Sequence, residues 1–438
     1  MSAVAGTAHG PGAPRLSAGQ WRVIALASLG GSLEFYDFII YGIFAQYIAR
    51  QFFPADNPNV SLILSFSVLA LGFLARPLGG VVLGALGDRY GRRPVFLGSL
   101  FCTTAATILI GALPSYASWG LAAPLLLVSL RLVQGICLGG ELPGALTYAV
   151  EAAPQRAGLA CGVIILCVNF GVLVATLVNL GIQHALPPAD VAAYGWRLAF
   201  LLGGLIGAVS YLLRRSLEES PEFARMRSHP ANPIAELLRA HWRPVLTAAG
   251  VAAVVGGFNG MLYGFMPAYL VQGLHYSPAL TATAMTVALL VSSAGLIVAG
   301  WAGDYLPRHL ILRAGAGLLA LTVVPLWSMI ATDGAHLVLW LGLLSLIFSV
   351  ASGIWPSIVA TLFPTRVRFS GIALSYNISI TLLSGFAPLA ASAMIGAGLP
   401  AGPAFYIAGC ALLTFISTFG PATRAAETSR AGQAAGMA

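Results

Sequence analysis

Apolar residues along this chain come in runs of about 20 or more, separated by short polar breaks and without the period-two alternation of barrel strands. Each run is long enough to cross a bilayer as a helix. They predict twelve spans, at residues 21–48, 60–86, 94–113, 121–150, 158–184, 196–213, 244–271, 279–302, 310–331, 336–362, 370–396 and 403–421. The longest polar interruption, 214–243, falls at the middle of the chain and reads as a cytoplasmic loop joining two six-helix bundles, 21–213 and 244–421. Tails are expected at 1–20 and 422–438. The first is rich in Gly, Ala, Pro and Ser and has no apolar core of a cleavable signal; the second has no heptad and reads as disordered.

A fixed offset relates the halves. GALGDRYGRR, from Gly84 to Arg93, lies between the second and third spans, and GWAGDYLPRH, from Gly300 to His309, between the eighth and ninth. At a spacing of 216 residues Gly84 matches Gly300, Gly87 matches Gly303, Asp88 matches Asp304 and Arg92 matches Arg308. FPTRVR at 363–368 likewise echoes EAAPQR at 151–156. A repeat of about half the chain predicts a duplicated membrane unit. Charge as dense as that of Gly87 to Arg93 has to sit in water or at headgroups. Asp88, Arg89, Arg92, Arg93, Glu151, Asp304 and Arg308 are therefore expected to form a cytoplasmic gate, Asp88 accepting from a neighbouring helix end and the arginines bridging the halves.

Composition narrows the class. With 58% hydrophobic and 8% charged residues and a mean hydropathy of +0.86, a soluble domain of this length could not hide its apolar side chains. All 22 basic residues are Arg. With a cytoplasmic N-terminus eighteen of them fall on inner segments, Arg50 and Arg197 fall outside, and Arg76 and Arg131 lie within spans. The net charge of +8 thus reflects membrane orientation, not a nucleic-acid surface. Five cysteines in apolar stretches have no metal-like spacing and read as small core residues. No water-accessible nucleophile and base pair stands out, so an enzyme is not expected.

The remaining chemistry is buried charge. Glu34 and Asp37 lie three residues apart in the first span, with Tyr41 a turn further on, and Arg76-Pro77 lies deep in the second. Arg131, Gln134 and Glu141 form one stripe on the fourth. An ionised group in the bilayer core costs at least a few kcal/mol, so these five charges need partners or a purpose. Three acids against two arginines leave one negative charge, which a single proton would neutralise. An acid whose Arg partner moves between conformations can load and release that proton. Glu34, Asp37 and Arg131 are the expected proton-coupling set. The second-half spans offer neutral groups instead, Asn259, Tyr263, Trp355, Tyr376 and Asn377; with Arg76, Arg131, Gln134, Glu141, Tyr41 and Asn169 they are the expected substrate-binding residues.

The Gly84–Arg93 loop, with GSLEFYDFIIYG in the first span, FLARPLGG in the second, RLVQGICLGGE in the fourth, RRSLEESPEF after the sixth and LFPTRVR before the eleventh, resembles the metabolite:proton symporter branch of the major facilitator superfamily. The resemblance implies an all-α integral membrane fold of twelve helices in two pseudo-symmetric bundles. It further implies a monomeric multi-pass carrier of the bacterial inner membrane with both termini cytoplasmic, no cofactor or metal, and a proton gradient as the driving force. Its branch is associated with citrate, 2-oxoglutarate, shikimate, dicarboxylates, and proline or betaine. After GGE, relatives often carry Trp or Leu followed by Gly-Gly, where this chain has Leu142-Pro143-Gly144. The deep arginines and short tail favour a mono- to tricarboxylate as the imported substrate. A zwitterionic osmolyte such as proline or betaine is the alternative, and a proton-driven exporter the second, although the fifth span lacks the Gly-Pro-rich pattern of antiporters.

Overall fold

The computed structural model describes residues 15–55, 57–226 and 228–420. The expected tails, with Arg424 and Arg430, fall largely outside these residues. The described chain is helical throughout, and eleven helices are long and apolar enough to cross a membrane: α1 (Ala18–Phe52), α2 (Val60–Tyr90), α3 (Arg92–Ala112), α4 (Ala122–Ala152), α5 (Pro154–Ala185), α6 (Pro188–Arg214), α7 (Trp242–Gly273), α8 (Pro278–Ala302), α9 (Arg308–Thr332), α10 (Gly334–Thr361) and α11 (Thr365–Gly396). A shorter apolar helix, α12 (Gly402–Ser417), follows. It has 16 residues and stops short of the expected 421, because Thr418 to Gly420 turn out of the helix.

Local chemistry sets the ends. Ser17 caps α1 in a reciprocal box with Gln20, and Ser277 accepts from the Leu280 amide at the start of α8. Gly91, at φ +118°, makes the α2–α3 corner in a conformation that a side chain would strain. Aliphatic side chains such as Leu321, Leu389 and Ile416 remain more than 60% exposed, an apolar exterior suited to hydrocarbon and not to water.

Small residues decide the packing. α2 lies along α4 where a Cβ on Gly135 or Gly139 would run into the backbone of Gly72 or Arg76, so the two helices approach almost backbone to backbone. Within the first six helices α1 also packs on α5, and α3 on α6; within the last six, α8 and α9 pack on α10 and α7 on α12. The groups meet mainly through α5 against α8 and α2 against α11, with α4 touching α11.

The 214–243 segment is not the open loop that its polarity suggests. Arg214 is a fully buried last residue of α6, and short helices at Pro221–Ala224 and Pro233–Ala240 bury Leu217, Phe223 and Leu237 against the charged end of the bundle. Ser220 and Asn232 cap those two helices.

Candidate functional site

Glu34 and Asp37, expected on one face of α1, address different neighbours. A three-residue step turns a helix by 300°, which leaves the two side chains about 60° apart. Asp37 turns inward among the first six helices. It accepts from Arg131 Nη1 at 2.6 Å, Gln134 Nε2 at 3.0 Å and Thr107 Oγ1 at 3.0 Å. The Arg131 guanidinium lies over the Tyr41 ring at 4.0 Å and the Phe200 ring at 5.5 Å. Arg131, Gln134 and Tyr41, placed with the substrate in the sequence reading, are thus partnered inside one bundle and do not face the second.

Glu34 points to the junction. Its Oε1 is 3.2 Å from Arg76 Nη2, and neither carboxylate oxygen has a hydrogen bond of good geometry. Both side chains are almost wholly buried, so the charge attraction is little screened. Arg76 is also the point where the second group of helices enters. Its Nε donates to Asn377 Oδ1 of α11 at 3.4 Å, and its guanidinium lies 5.9 Å from the Tyr376 ring and 5.8 Å from that of Phe73. Tyr376 in turn stacks on Trp355 of α10, with centroids 5.3 Å apart and planes at 9°. The Trp355 indole N–H is buried without a partner. Glu34, Arg76, Tyr376, Asn377 and Trp355 therefore form one chain of contacts across the two groups, lined by unused polar atoms.

Glu141 goes elsewhere. It pairs with Arg214 of α6 and accepts from Ser99 Oγ at 2.9 Å, while Arg214 donates to the Leu26 carbonyl at 2.7 Å and to that of Ala27 at 2.5 Å. From its place at the end of an apolar run, Arg214 is expected with the loop 214–243. Its burial corrects the charge count to three acids against three arginines, so the set is balanced and the single excess negative charge disappears.

Asn169 donates to Ser293 Oγ at 2.9 Å, joining α5 to α8. Asn259 is half-buried at the end of the regular part of α7, and Tyr263 follows in a widened π-helical stretch, Gly260–Phe265, with 36% of its surface exposed. Neither touches the Arg76 group in any described contact.

At the charged end the two groups are latched. Asp88 accepts from the amides of Phe369 and Ser370 at 3.2 and 2.8 Å, at the start of the α11 helix, and pairs with Arg92 at 2.9 Å. A carboxylate suits a helix start, where free amides and the dipole are positive. The Asp304 carboxylate does the same for Gly158 and Leu159 at 2.8 and 3.1 Å and pairs with Arg308 at 3.0 Å. Arg92 reaches across to the Thr365 carbonyl at 2.6 Å and pairs with Glu151 of its own group at 3.4 Å; Glu151 in turn reaches across to Arg368 at 3.0 Å. Arg89 and Arg93 depart from expectation. Arg89 is exposed beside the Tyr90 ring, and Arg93 donates to the Arg215 carbonyl within the same group of helices, so neither bridges the halves. Four contributors were not singled out from the sequence: Ser220, which bonds Glu151; Glu219, which caps the amides of Arg92 and Arg93; and Glu222 and Arg368, which pair at 2.5 Å. The cluster in RRSLEESPEF was the available signal for Glu219, Ser220 and Glu222, and LFPTRVR that for Arg368.

The Major Facilitator Superfamily model matches residues 27–388 of the chain. The glycine betaine/proline/ectoine/pipecolic acid transporter OusA of Dickeya dadantii (strain 3937) is 31% identical over 395 residues, covering 85% of this chain and 77% of its own length. The proline/betaine transporter of Salmonella typhimurium (strain LT2) is 30% identical over 420 residues, 90% of this chain and 83% of the relative. Among solved structures, the proton:xylose symporter XylE bound to 6-bromo-6-deoxy-D-glucose matches with a TM-score of 0.77 over 91% of this chain and 95% of that one, at 16% identity. At that identity the likeness speaks for the fold.

Proposed function

The chain belongs to the major facilitator superfamily, and from that premise we propose that it is a proton-coupled carrier importing a small carboxylate-bearing solute by alternating access. In this reading twelve helices form two six-helix bundles related by an axis along the membrane normal, in the bacterial inner membrane, as a monomer. Both termini and the charged end face the cytoplasm, and the latches of Asp88, Asp304, Arg92 and Glu151 keep that side shut. No cofactor is needed, because the proton gradient drives the cycle.

One observation carries the proposal: the Glu34–Arg76 pair is buried, incompletely hydrogen-bonded and shared between the two groups of helices. With the buried charges balanced, a proton arriving on Glu34 leaves Arg76 one negative charge short. A substrate carboxylate can supply it, and a guanidinium fork matches a carboxylate well. Proton and substrate thus bind together, and either alone leaves a buried charge uncompensated. Asp37, already accepting three hydrogen bonds, is better suited to holding Arg131 in place than to being protonated.

The same geometry supports a zwitterion over a di- or tricarboxylate. Arg131 is committed to Asp37, so one guanidinium is presented at the junction and a second carboxylate would find no cation there. The stacked Trp355–Tyr376 pair beside Arg76 offers the ring face that a methylated ammonium favours. The names of the similar transporters point the same way. Uptake of labelled glycine betaine and proline into proteoliposomes, competed by citrate, 2-oxoglutarate and succinate, tests this. Competition by the organic acids and none by betaine or proline would overturn the zwitterion reading.

A further inference from the structure

The Asn377 carboxamide is fully buried, and all of its polar atoms are used. Its Nδ2 donates to the Ala373 carbonyl of its own helix at 2.7 Å and, across the junction, to the Gly139 carbonyl of α4, also at 2.7 Å. The second bond exists for a reason written in the sequence. In a helix the Gly139 carbonyl would accept from the amide four residues on, but that residue is Pro143, which has none. The freed carbonyl is buried and needs a donor, and Asn377 supplies it. Glycines make room, for a Cβ on Gly80 would meet Asn377 Nδ2 at 2.6 Å. With both N–H bonds fixed, Oδ1 is left to face Arg76 Nε.

We propose that Asn377 is a positioning residue that ties the protonation of Glu34 to closure of the charged end, holding Arg76 only while α11 lies against α2 and α4. This rests on the reading of Glu34 as the proton carrier. When α11 swings away, Asn377 leaves with it, Arg76 loses its uncharged acceptor, and the guanidinium depends on an ionised Glu34. Opening therefore expels the proton. Closure restores the amide oxygen, which keeps Arg76 Nε hydrogen-bonded while Glu34 is neutral and the substrate carboxylate supplies the missing charge. The groups acting on Glu34 are Arg76 from α2, Glu141 from α4, with Arg214 of α6 paired to it, and Tyr376 from α11 facing the same pair; Asp37 is the next acid on α1. Asn377 is an uncharged member that changes sides. By contrast the α5–α8 counterpart, Asn169 with Ser293, joins two neutral groups and has no charge to control.

Glu34 protonation is read from its carboxyl stretch in pH-difference infrared spectra of the purified full-length protein in nanodiscs, with Glu34→Gln as the subtraction control. Asn377→Ala removes the amide oxygen and drives Arg76 onto Glu34, so the midpoint should fall by about one pH unit, the worth of one charge-assisted hydrogen bond. Asn377→Asp puts a full negative charge at the same place and should move it the other way. Pro143→Ala returns the Gly139 carbonyl to its helix, loosens Asn377 without touching it, and should lower the midpoint by less. Unchanged midpoints, or shifts of one sign in Asn377→Ala and Asn377→Asp, would overturn the proposal. Wild type that fails to take up betaine or proline while the three midpoints move as stated would sink the substrate reading and leave this one standing.

Discussion

Removing Glu34 and removing Arg76 should not cost the same, although each breaks the same pair. Glu34→Gln strands a guanidinium that cannot shed its proton and keeps the Asn377 oxygen at 3.4 Å and two aromatic rings. At 3.2 Å two unit charges attract by about 5 kcal/mol at an effective dielectric constant of 20. Breaking one side of such a buried pair typically costs roughly 3–5 kcal/mol. Arg76→Gln instead strands an acid, which can take up a proton. Its penalty is limited to the work of protonation, about 1.4 kcal/mol for each pH unit above the ordinary Glu value near 4.3. That is about 1 kcal/mol at pH 5 and about 3–4 kcal/mol at pH 7, so the stability of Arg76→Gln recovers as pH falls. The double variant leaves no charge at this site and should lose less than the sum of the two by about 3 kcal/mol. Reversible unfolding in mixed micelles at pH 5 and 8 measures all four proteins. An additive cycle, or an Arg76→Gln penalty equal at both pH values, would refute the idea that this pair is tightly coupled and open to protonation.

Other outcomes follow from the same contacts. Asp88→Asn weakens two bonds to the start of α11 and the pair with Arg92, each worth about 1.5–3 kcal/mol; a cysteine at buried Ala373 should then react with a membrane-impermeant maleimide applied at the charged end several-fold faster than in the parent, and an unchanged rate would count against the latch. Arg131→Lys keeps the charge and loses the planar contact with the Tyr41 ring at 4.0 Å, so uptake should weaken about tenfold at unchanged expression; full activity would show that the guanidinium plane is dispensable. Gly84→Val forces a side chain against the Ser370 backbone and should hold the charged end open, raising the same maleimide reactivity while uptake falls.

How far the sequence could reach varies from residue to residue. Hydropathy placed the helices because bilayer thickness sets their length, and the half-length repeat paired Asp88 with Asp304, each capping a helix start across the junction. Glu34 and Asp37 were visible as costly charges, but which arginine each would take depends on about 60° of helix rotation that spacing alone leaves open. Arg214 was lost because it ends an apolar run, where an arginine normally reaches to headgroups; here it turns inward to Glu141 and the α1 carbonyls. The role of Asn377 needed both a carbonyl freed by Pro143 and the helix that brings a donor to it, two features 234 residues apart in the sequence.

The central claim, that Glu34 carries the coupled proton, is tested most directly by accumulation of labelled glycine betaine or proline in proteoliposomes under an imposed gradient of one pH unit, acid outside, with the membrane potential clamped. One proton per substrate supports at most about tenfold accumulation, the equivalent of about 1.4 kcal/mol. Wild type should approach that ratio, while Glu34→Gln should still exchange internal for external substrate yet settle at equal concentrations inside and out. A Glu34→Gln protein that concentrates substrate as far as wild type would contradict the account.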